Sequence, residues 1–63
     1  MTKKEIISNA EKNAYKHTKG MSAKRQIAYL KQIERAPPPV NTYMYMVYRG
    51  SIKGVKRAIK SNK

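Results

Sequence analysis

The fold class of this chain is decided by residues 42–60, which read TYMYMVYRGSIKGVKRAIK. The first part, 42–48, is ambiguous, because tyrosine, valine and threonine favour strands, whereas methionine and the capping residues Asn41 and Thr42 favour a helix. A strand at 42–48 needs a partner strand, which within the chain only 55–60 can supply and which otherwise comes from another copy of the molecule. The alternative to a helical fold is therefore α+β, with a strand or hairpin at 42–60.

The second part of this stretch favours a helix. Ser51 can cap it, and four apolar residues recur at the spacing of one helical face: Ile52, Val55, Ala58 and Ile59. Four cations fall on the opposite arc: Lys53, Lys56, Arg57 and Lys60. Gly54 inside such a helix costs about 1 kcal/mol relative to alanine. We therefore predict a helix at 51–61 and, by extension, a short helix at 42–48.

The N-terminal segment predicts a helix at 3–18. It opens with Thr2-Lys3-Lys4-Glu5, the pattern of a capping box in which Thr2 and Glu5 exchange hydrogen bonds. Its apolar face is weak and consists of two isoleucines and two alanines at helical spacing: Ile6, Ile7, Ala10 and Ala14. Gly20 is a suitable stop signal.

The next segment predicts an amphipathic helix at 22–35 with Ser22 as its N-cap. Its apolar stripe consists of Ala23, Ile27, Leu30 and Ile33, and its cations lie on the other side: Lys24, Arg25, Lys31 and Arg35. The prolines at 37–39 end this helix, because a residue before proline is disfavoured in the α region. They form a stiff connector between the helical N-terminal half and the basic C-terminal half. The prediction is a mainly α fold, with three to four short helices in one small domain that spans 1–63.

The composition narrows the function. The chain has 63 residues, with 15 lysines and arginines against three acidic residues, for a formal net charge of +12. Such a small chain is marginally stable alone, and its uncompensated charges repel one another unless a polyanion binds. There is no cysteine, and one histidine with three scattered carboxylates cannot form an ordinary metal shell. We expect no enzyme activity, metal or cofactor.

The apolar runs are too short to span a membrane, which takes about 20 residues, and the start of the chain lacks the apolar core of a secretion signal. We therefore expect a cytoplasmic protein with no membrane partner.

Residues 51–59 resemble the recognition helix of helix-turn-helix proteins. In that family a serine or threonine caps the second helix, a β-branched residue follows four positions later and an apolar residue comes three or four positions after that. Here these residues are Ser51, Val55 and either Ala58 or Ile59. The resemblance implies a preceding helix at 41–48 and a turn at 49–50. The chain departs from the pattern at Gly50, where an apolar residue is usual, and within the first helix, where Tyr45 or Met46 replaces a small residue.

The main functional prediction is a nucleic-acid-binding protein that contacts phosphates through a basic helix face. Duplex DNA is favoured over RNA as the ligand. We expect modest sequence preference, because lysine suits phosphates whereas arginine is the usual reader of guanine. The predicted binding residues are Arg49, Lys53, Lys56, Arg57 and Lys60, with Lys24, Arg25, Lys31 and Arg35 on flanking phosphates. The alternative is a small inhibitor or adaptor, of the type common in phages and plasmids, that binds an acidic host protein.

A homodimer is a further hypothesis. The predicted core is small, and consists of Ile6, Ile7, Ile27, Leu30, Ile33, Val55 and Ile59. Six consecutive tyrosine, methionine and valine residues at 43–48 cannot all face inward, and a two-fold dimer would bury the remainder. The predicted contacts are Tyr45, Met46 and Tyr48.

Overall fold

The computed structural model describes residues 2–61, and it contains three α-helices. These are α1 (Lys3–Thr18), α2 (Ala23–Glu34) and α3 (Tyr43–Ser61). No strand occurs within 2–61, so the mainly α prediction is confirmed and the α+β alternative is wrong. The Cα atoms extend over 32 × 22 × 14 Å.

The first two helices begin as their capping signals predict. At the start of α1, the Thr2 hydroxyl accepts a hydrogen bond from the backbone N–H of Glu5 at 3.2 Å, and the Glu5 carboxylate accepts one from the Thr2 N–H at 3.3 Å. At the start of α2, the Ser22 hydroxyl accepts a hydrogen bond from the Arg25 N–H at 3.3 Å. Each bond satisfies a backbone donor that has no partner within its helix.

The third helix corrects the sequence prediction. The predicted helices at 42–48 and 51–61 are one continuous helix, and the residues of the predicted turn at 49–50 are helical. Thr42, not Ser51, caps it: the Thr42 hydroxyl accepts from the Tyr45 N–H at 3.2 Å and donates to the Pro39 carbonyl oxygen at 2.7 Å. The chain turns into this cap at Asn41, whose φ of 71° lies in the left-handed region that asparagine tolerates. Residues 41–59 therefore do not form a helix-turn-helix-like geometry.

The glycine that suggested a turn serves the contact between α1 and α3. A Cβ at Gly50 would lie 2.6 Å from the Cβ of Ala10, and one at Gly54 would lie 2.8 Å from the Cβ of Ala14. Each added Cβ would also collide with a backbone carbonyl of α1. The two glycines, four residues apart on one face, thus let the backbones of α1 and α3 approach closely. Since Gly50 meets Ala10 and Gly54 meets Ala14, the two helices run parallel.

The second helix is fixed by a buried polar side chain. The Gln26 side chain is fully buried, and its amide donates a hydrogen bond to the carbonyl oxygen of Thr18 at 2.8 Å. This bond adds a side-chain donor to a carbonyl at the C-terminus of α1 that also accepts a hydrogen bond from the backbone N–H of Met21 at 2.9 Å. The predicted apolar stripe is correspondingly rotated: Ile27 is 43% exposed, whereas Gln26 and the half-buried Tyr29 face inward.

The buried core is smaller than predicted. The buried apolar residues within 2–61 are Ala10, Ala14, Val55 and Ala58. Of the predicted core, only Val55 is fully buried, because the close α1–α3 contact is made by small residues. Ile27 is exposed, and the other isoleucines and Leu30 are half-buried. Among the described helices, none combines the length and the apolar character needed to cross a membrane.

Candidate nucleic-acid interface

A row of four cations lies along α3. Because α3 is continuous, Arg49 is in register with the cations that follow it, at spacings of four, three and four residues. At about 100° per residue, all four fall within an arc of about 60°. We call them the basic stripe: Arg49, Lys53, Lys56 and Lys60. All four side chains are exposed, and the stripe is about 16 Å long at 1.5 Å per residue.

The predicted binding residue Arg57 points elsewhere. Its guanidinium donates a hydrogen bond to the Glu11 carboxylate at 3.1 Å and lies 4.8 Å from the centre of the Tyr15 ring. Arg57 therefore leaves the basic stripe and faces α1. The sequence could not indicate this, because Glu11 and Tyr15 are more than 40 residues away along the chain.

Two lysines of α1 extend the basic surface beside the stripe. Lys3 and Arg49 line the same groove near the start of α3. Lys4 and Lys53 line a second groove at the next level along the two helices, together with the carboxylates Glu5 and Glu11. Cations from two helices thus meet at each groove, although the sequence analysis did not select Lys3 or Lys4 as binding residues.

The carboxylates near this surface are already engaged. Glu5 accepts the capping hydrogen bonds of α1, and Glu11 pairs with Arg57. The third carboxylate, Glu34, lies at the end of α2, and no acidic residue follows it in the sequence. The charge of the basic stripe is therefore uncompensated by α3 itself, and an anionic ligand would relieve its self-repulsion.

A second group of cations gathers around Arg57 and was missed by the sequence analysis. Arg57 and Tyr15 line a shallow hollow on this side of the molecule. The other lining residues are the amides Asn9 and Asn13 and three lysines of α1: Lys12, Lys16 and Lys19. We call this the Arg57 hollow. Lysines at helical spacing on α1 were visible in the sequence, but their meeting with Arg57 depends on how α1 packs on α3.

The predicted cations of α2 are not brought to the basic stripe. Arg25 and Tyr29 line a common hollow, and Tyr29 in turn lines a groove with Val47 and Ser51. Val47 and Ser51 lie about 150–170° around α3 from the middle of the stripe at 100° per residue. The other three predicted cations of this segment are exposed, on the side of the helix away from the buried Gln26. They are Lys24 and Lys31 of α2 and Arg35 at its C-cap.

The predicted dimer contacts are partly used within the chain. Tyr45, Met46 and Tyr48 are half-buried, and the Tyr45 and Tyr48 rings lie 5.8 Å apart. Greater exposure occurs just before them, where Tyr43 and Met44 are each 60% exposed.

Within residues 2–61, no group of three or more histidine, cysteine or acidic side chains is placed to hold a metal ion. No protein-family model matches the sequence, and neither a curated protein nor a solved structure shows significant similarity to it.

Proposed function

We propose that this protein binds nucleic acid, with duplex DNA as the preferred ligand, by placing the basic stripe of α3 on backbone phosphates. The observation that carries the proposal is the alignment of Arg49, Lys53, Lys56 and Lys60 on one exposed face of a continuous helix. A merely solvated surface needs far less charge than +12 on 63 residues.

The composition of the stripe favours contacts with phosphates over contacts with bases. Three of its four cations are lysines, which act as point charges, whereas arginine can bind guanine through two hydrogen bonds. The only arginine of α3 besides Arg49 is Arg57, which is held by Glu11 and Tyr15. We therefore expect modest sequence preference.

Binding by the stripe has a defined salt dependence. Four phosphate contacts displace enough counterions to give a slope of log affinity against log salt of about −3.6 for B-DNA. Lys3 and Lys4 beside the stripe make this slope steeper. The test is fluorescence anisotropy with a labelled random duplex of about 20 base pairs, titrated at about 50 to 200 mM salt. A slope of about −3 or steeper supports the proposal, and one flatter than about −2 contradicts it.

The alternative proposal is an adaptor or inhibitor that binds an acidic host protein. It is favoured by the exposed Tyr43 and Met44 at the same end of α3 as Arg49, because protein interfaces combine aromatic and methionine side chains with arginine. The two functions are distinguished by a pull-down from lysate with and without nuclease. A partner protein that survives nuclease treatment and high salt supports the adaptor, and loss of all partners after nuclease treatment supports nucleic-acid binding.

Self-association also remains a proposal. The exposed side chains of Tyr43 and Met44 extend the half-buried cluster of Tyr45, Met46 and Tyr48. A two-fold dimer through this region would bury them and place two basic stripes on one duplex. A cytoplasmic location is part of the proposal of DNA binding, since the cytoplasm is where the chain would meet DNA.

A further inference from the structure

We infer that the Arg57 hollow is a second phosphate-binding surface, which contacts the second strand of a duplex while the basic stripe contacts the first. This inference rests on the proposed function and specifies its ligand: a double-stranded nucleic acid in preference to a single strand.

The packing of α1 on α3 places the two sets of cations at the same levels. Gly50 meets Ala10 and Gly54 meets Ala14, so a residue of α1 lies beside the residue about forty positions later in α3. Lys12 is therefore level with Lys53, Lys16 with Lys56 and Lys19 with Lys60. Two rows of cations run side by side on parallel helices, with Tyr15 and Arg57 between them.

Arg57 is held ready to bind an anion. The Glu11 carboxylate accepts a hydrogen bond from the Arg57 guanidinium at an N···O distance of 3.1 Å. The guanidinium carbon also lies 4.8 Å from the centre of the Tyr15 ring, which supports it. The Arg57 side chain is nevertheless 57% exposed. Because a guanidinium has five N–H donors, most of them remain available to a ligand in the hollow. Holding the side chain in place lowers the entropy that binding would cost.

The charge of the hollow fits a polyanion. Its lining contains Lys12, Lys16, Lys19 and Arg57 but no carboxylate. The charge of Arg57 is balanced by Glu11, so the three lysines supply the net positive charge. Asn9 and Asn13 add amide donors that can bind phosphate oxygens.

The two rows together favour a duplex. A single strand presents one row of phosphates, which the basic stripe alone can neutralise. A duplex presents two rows, one on each side of a groove, and so engages the lysines of α1 as well. Each additional phosphate contact on duplex DNA adds about 0.9 to the magnitude of the salt slope.

The test compares two triple variants that remove equal charge from exposed positions. The first is Lys12→Gln with Lys16→Gln and Lys19→Gln on α1. The matched control is Lys24→Gln with Lys31→Gln and Arg35→Gln on α2. Glutamine keeps the helix propensity close to that of lysine, and circular dichroism checks that each variant is folded. Anisotropy is measured with a duplex and with a single strand of equal length.

We expect the α1 variant to lose about tenfold or more in duplex affinity, with a salt slope shallower by about two to three. Its affinity for the single strand should fall no further than that of the α2 control. Equal losses by the α1 and α2 variants, or an equal loss on both ligands, would overturn the inference.

A second variant tests Arg57 without changing the net charge. Arg57→Lys keeps the positive charge but removes the planar guanidinium with its several N–H donors. It should weaken duplex binding about threefold or more and leave single-strand binding unchanged. An unchanged duplex affinity would count against the site. The proposed function fails separately, if the wild-type protein binds neither ligand or if substitutions in the basic stripe leave both affinities intact.

Discussion

Gly54 of α3 packs on Ala14 of α1 so closely that a Cβ on the glycine would lie 2.8 Å from the alanine Cβ. The same glycine lies one residue after Lys53 of the basic stripe. The contact that joins the two helices therefore also fixes the direction in which the stripe faces. Stability and the proposed binding surface depend on one packing arrangement.

Gly54→Ala should destabilise the fold. In a free helix alanine would gain about 1 kcal/mol over glycine, but here the added methyl group meets the Glu11 carbonyl and forces α1 and α3 apart. Overpacking costs about 1–3 kcal/mol and occasionally more, and a collision with the backbone of α1 places this case at the upper end, so the cost exceeds the gain. Urea denaturation followed by circular dichroism measures the change.

Gly20→Ala is the control for that prediction. Gly20 has no heavy atom within 4 Å of an added Cβ, and no described glycine has a positive φ. Alanine there should leave stability unchanged or raise it by up to about 1 kcal/mol. If both substitutions had the same effect, the close α1–α3 contact would be wrong.

Gln26→Ala should cost about 1–3 kcal/mol of unfolding free energy, because it leaves the Thr18 carbonyl without its side-chain donor and opens a cavity. Gln32→Ala changes the same residue type at an exposed position of the same helix, and its effect should stay within about 0.5 kcal/mol. Thermal unfolding of the two variants under one condition compares them directly, and equal melting temperatures would refute a structural role for Gln26.

The sequence predicts those features that depend on near neighbours. The capping box of Thr2 and Glu5 and the N-cap at Ser22 involve residues three positions apart, and the structure contains both. Gly50 was wrongly predicted to lie in a turn. A glycine that ends a helix and a glycine that allows close packing of a second helix cannot be told apart in the sequence unless the packing partner is known. The burial of Gln26 was missed because an isolated glutamine is usually exposed.

The candidate site illustrates the same limit. Periodicity within α3 placed Lys53, Lys56 and Lys60 together, and the continuity of the helix added Arg49. Arg57 could not be separated from them, because its position depends on Glu11, 46 residues earlier. The helical spacing of Lys12, Lys16 and Lys19 is visible in the sequence, but their proximity to Arg57 depends on how α1 packs on α3.

Glu11→Gln should strengthen duplex binding. It removes one of the few negative charges near the basic stripe, while the amide oxygen of the glutamine can still accept the hydrogen bond that holds the Arg57 guanidinium in place. Since the pair is partly exposed, the cost in stability should be below about 1 kcal/mol. Anisotropy at low salt should show an affinity gain, whereas weaker binding would indicate that the ion pair is needed to position Arg57.

Self-association should depend on the exposed start of α3. Sedimentation in high salt, which screens the repulsion between two cationic chains, should show a dimer at high micromolar concentration. Met44→Lys should shift it towards the monomer without lowering thermal stability, because Met44 is 60% exposed. Met46→Lys is less informative, since the half-buried Met46 also supports the monomer. A wild-type protein that sediments only at 7.3 kDa would exclude the dimer.

The central claim is that the basic stripe, and not the total charge, binds the duplex. The most direct measurement compares Lys53→Glu with Lys56→Glu against Lys24→Glu with Lys31→Glu, two double variants with the same net charge and exposed positions. Duplex affinity is measured by anisotropy at about 100 mM salt. The duplex affinity of the stripe variant should fall about 100-fold or more, because each lost phosphate contact is replaced by repulsion. The duplex affinity of the α2 variant should fall less than about fivefold. Equal losses from the two variants would contradict the account, since they would mean that diffuse charge, without a binding face, attracts the ligand.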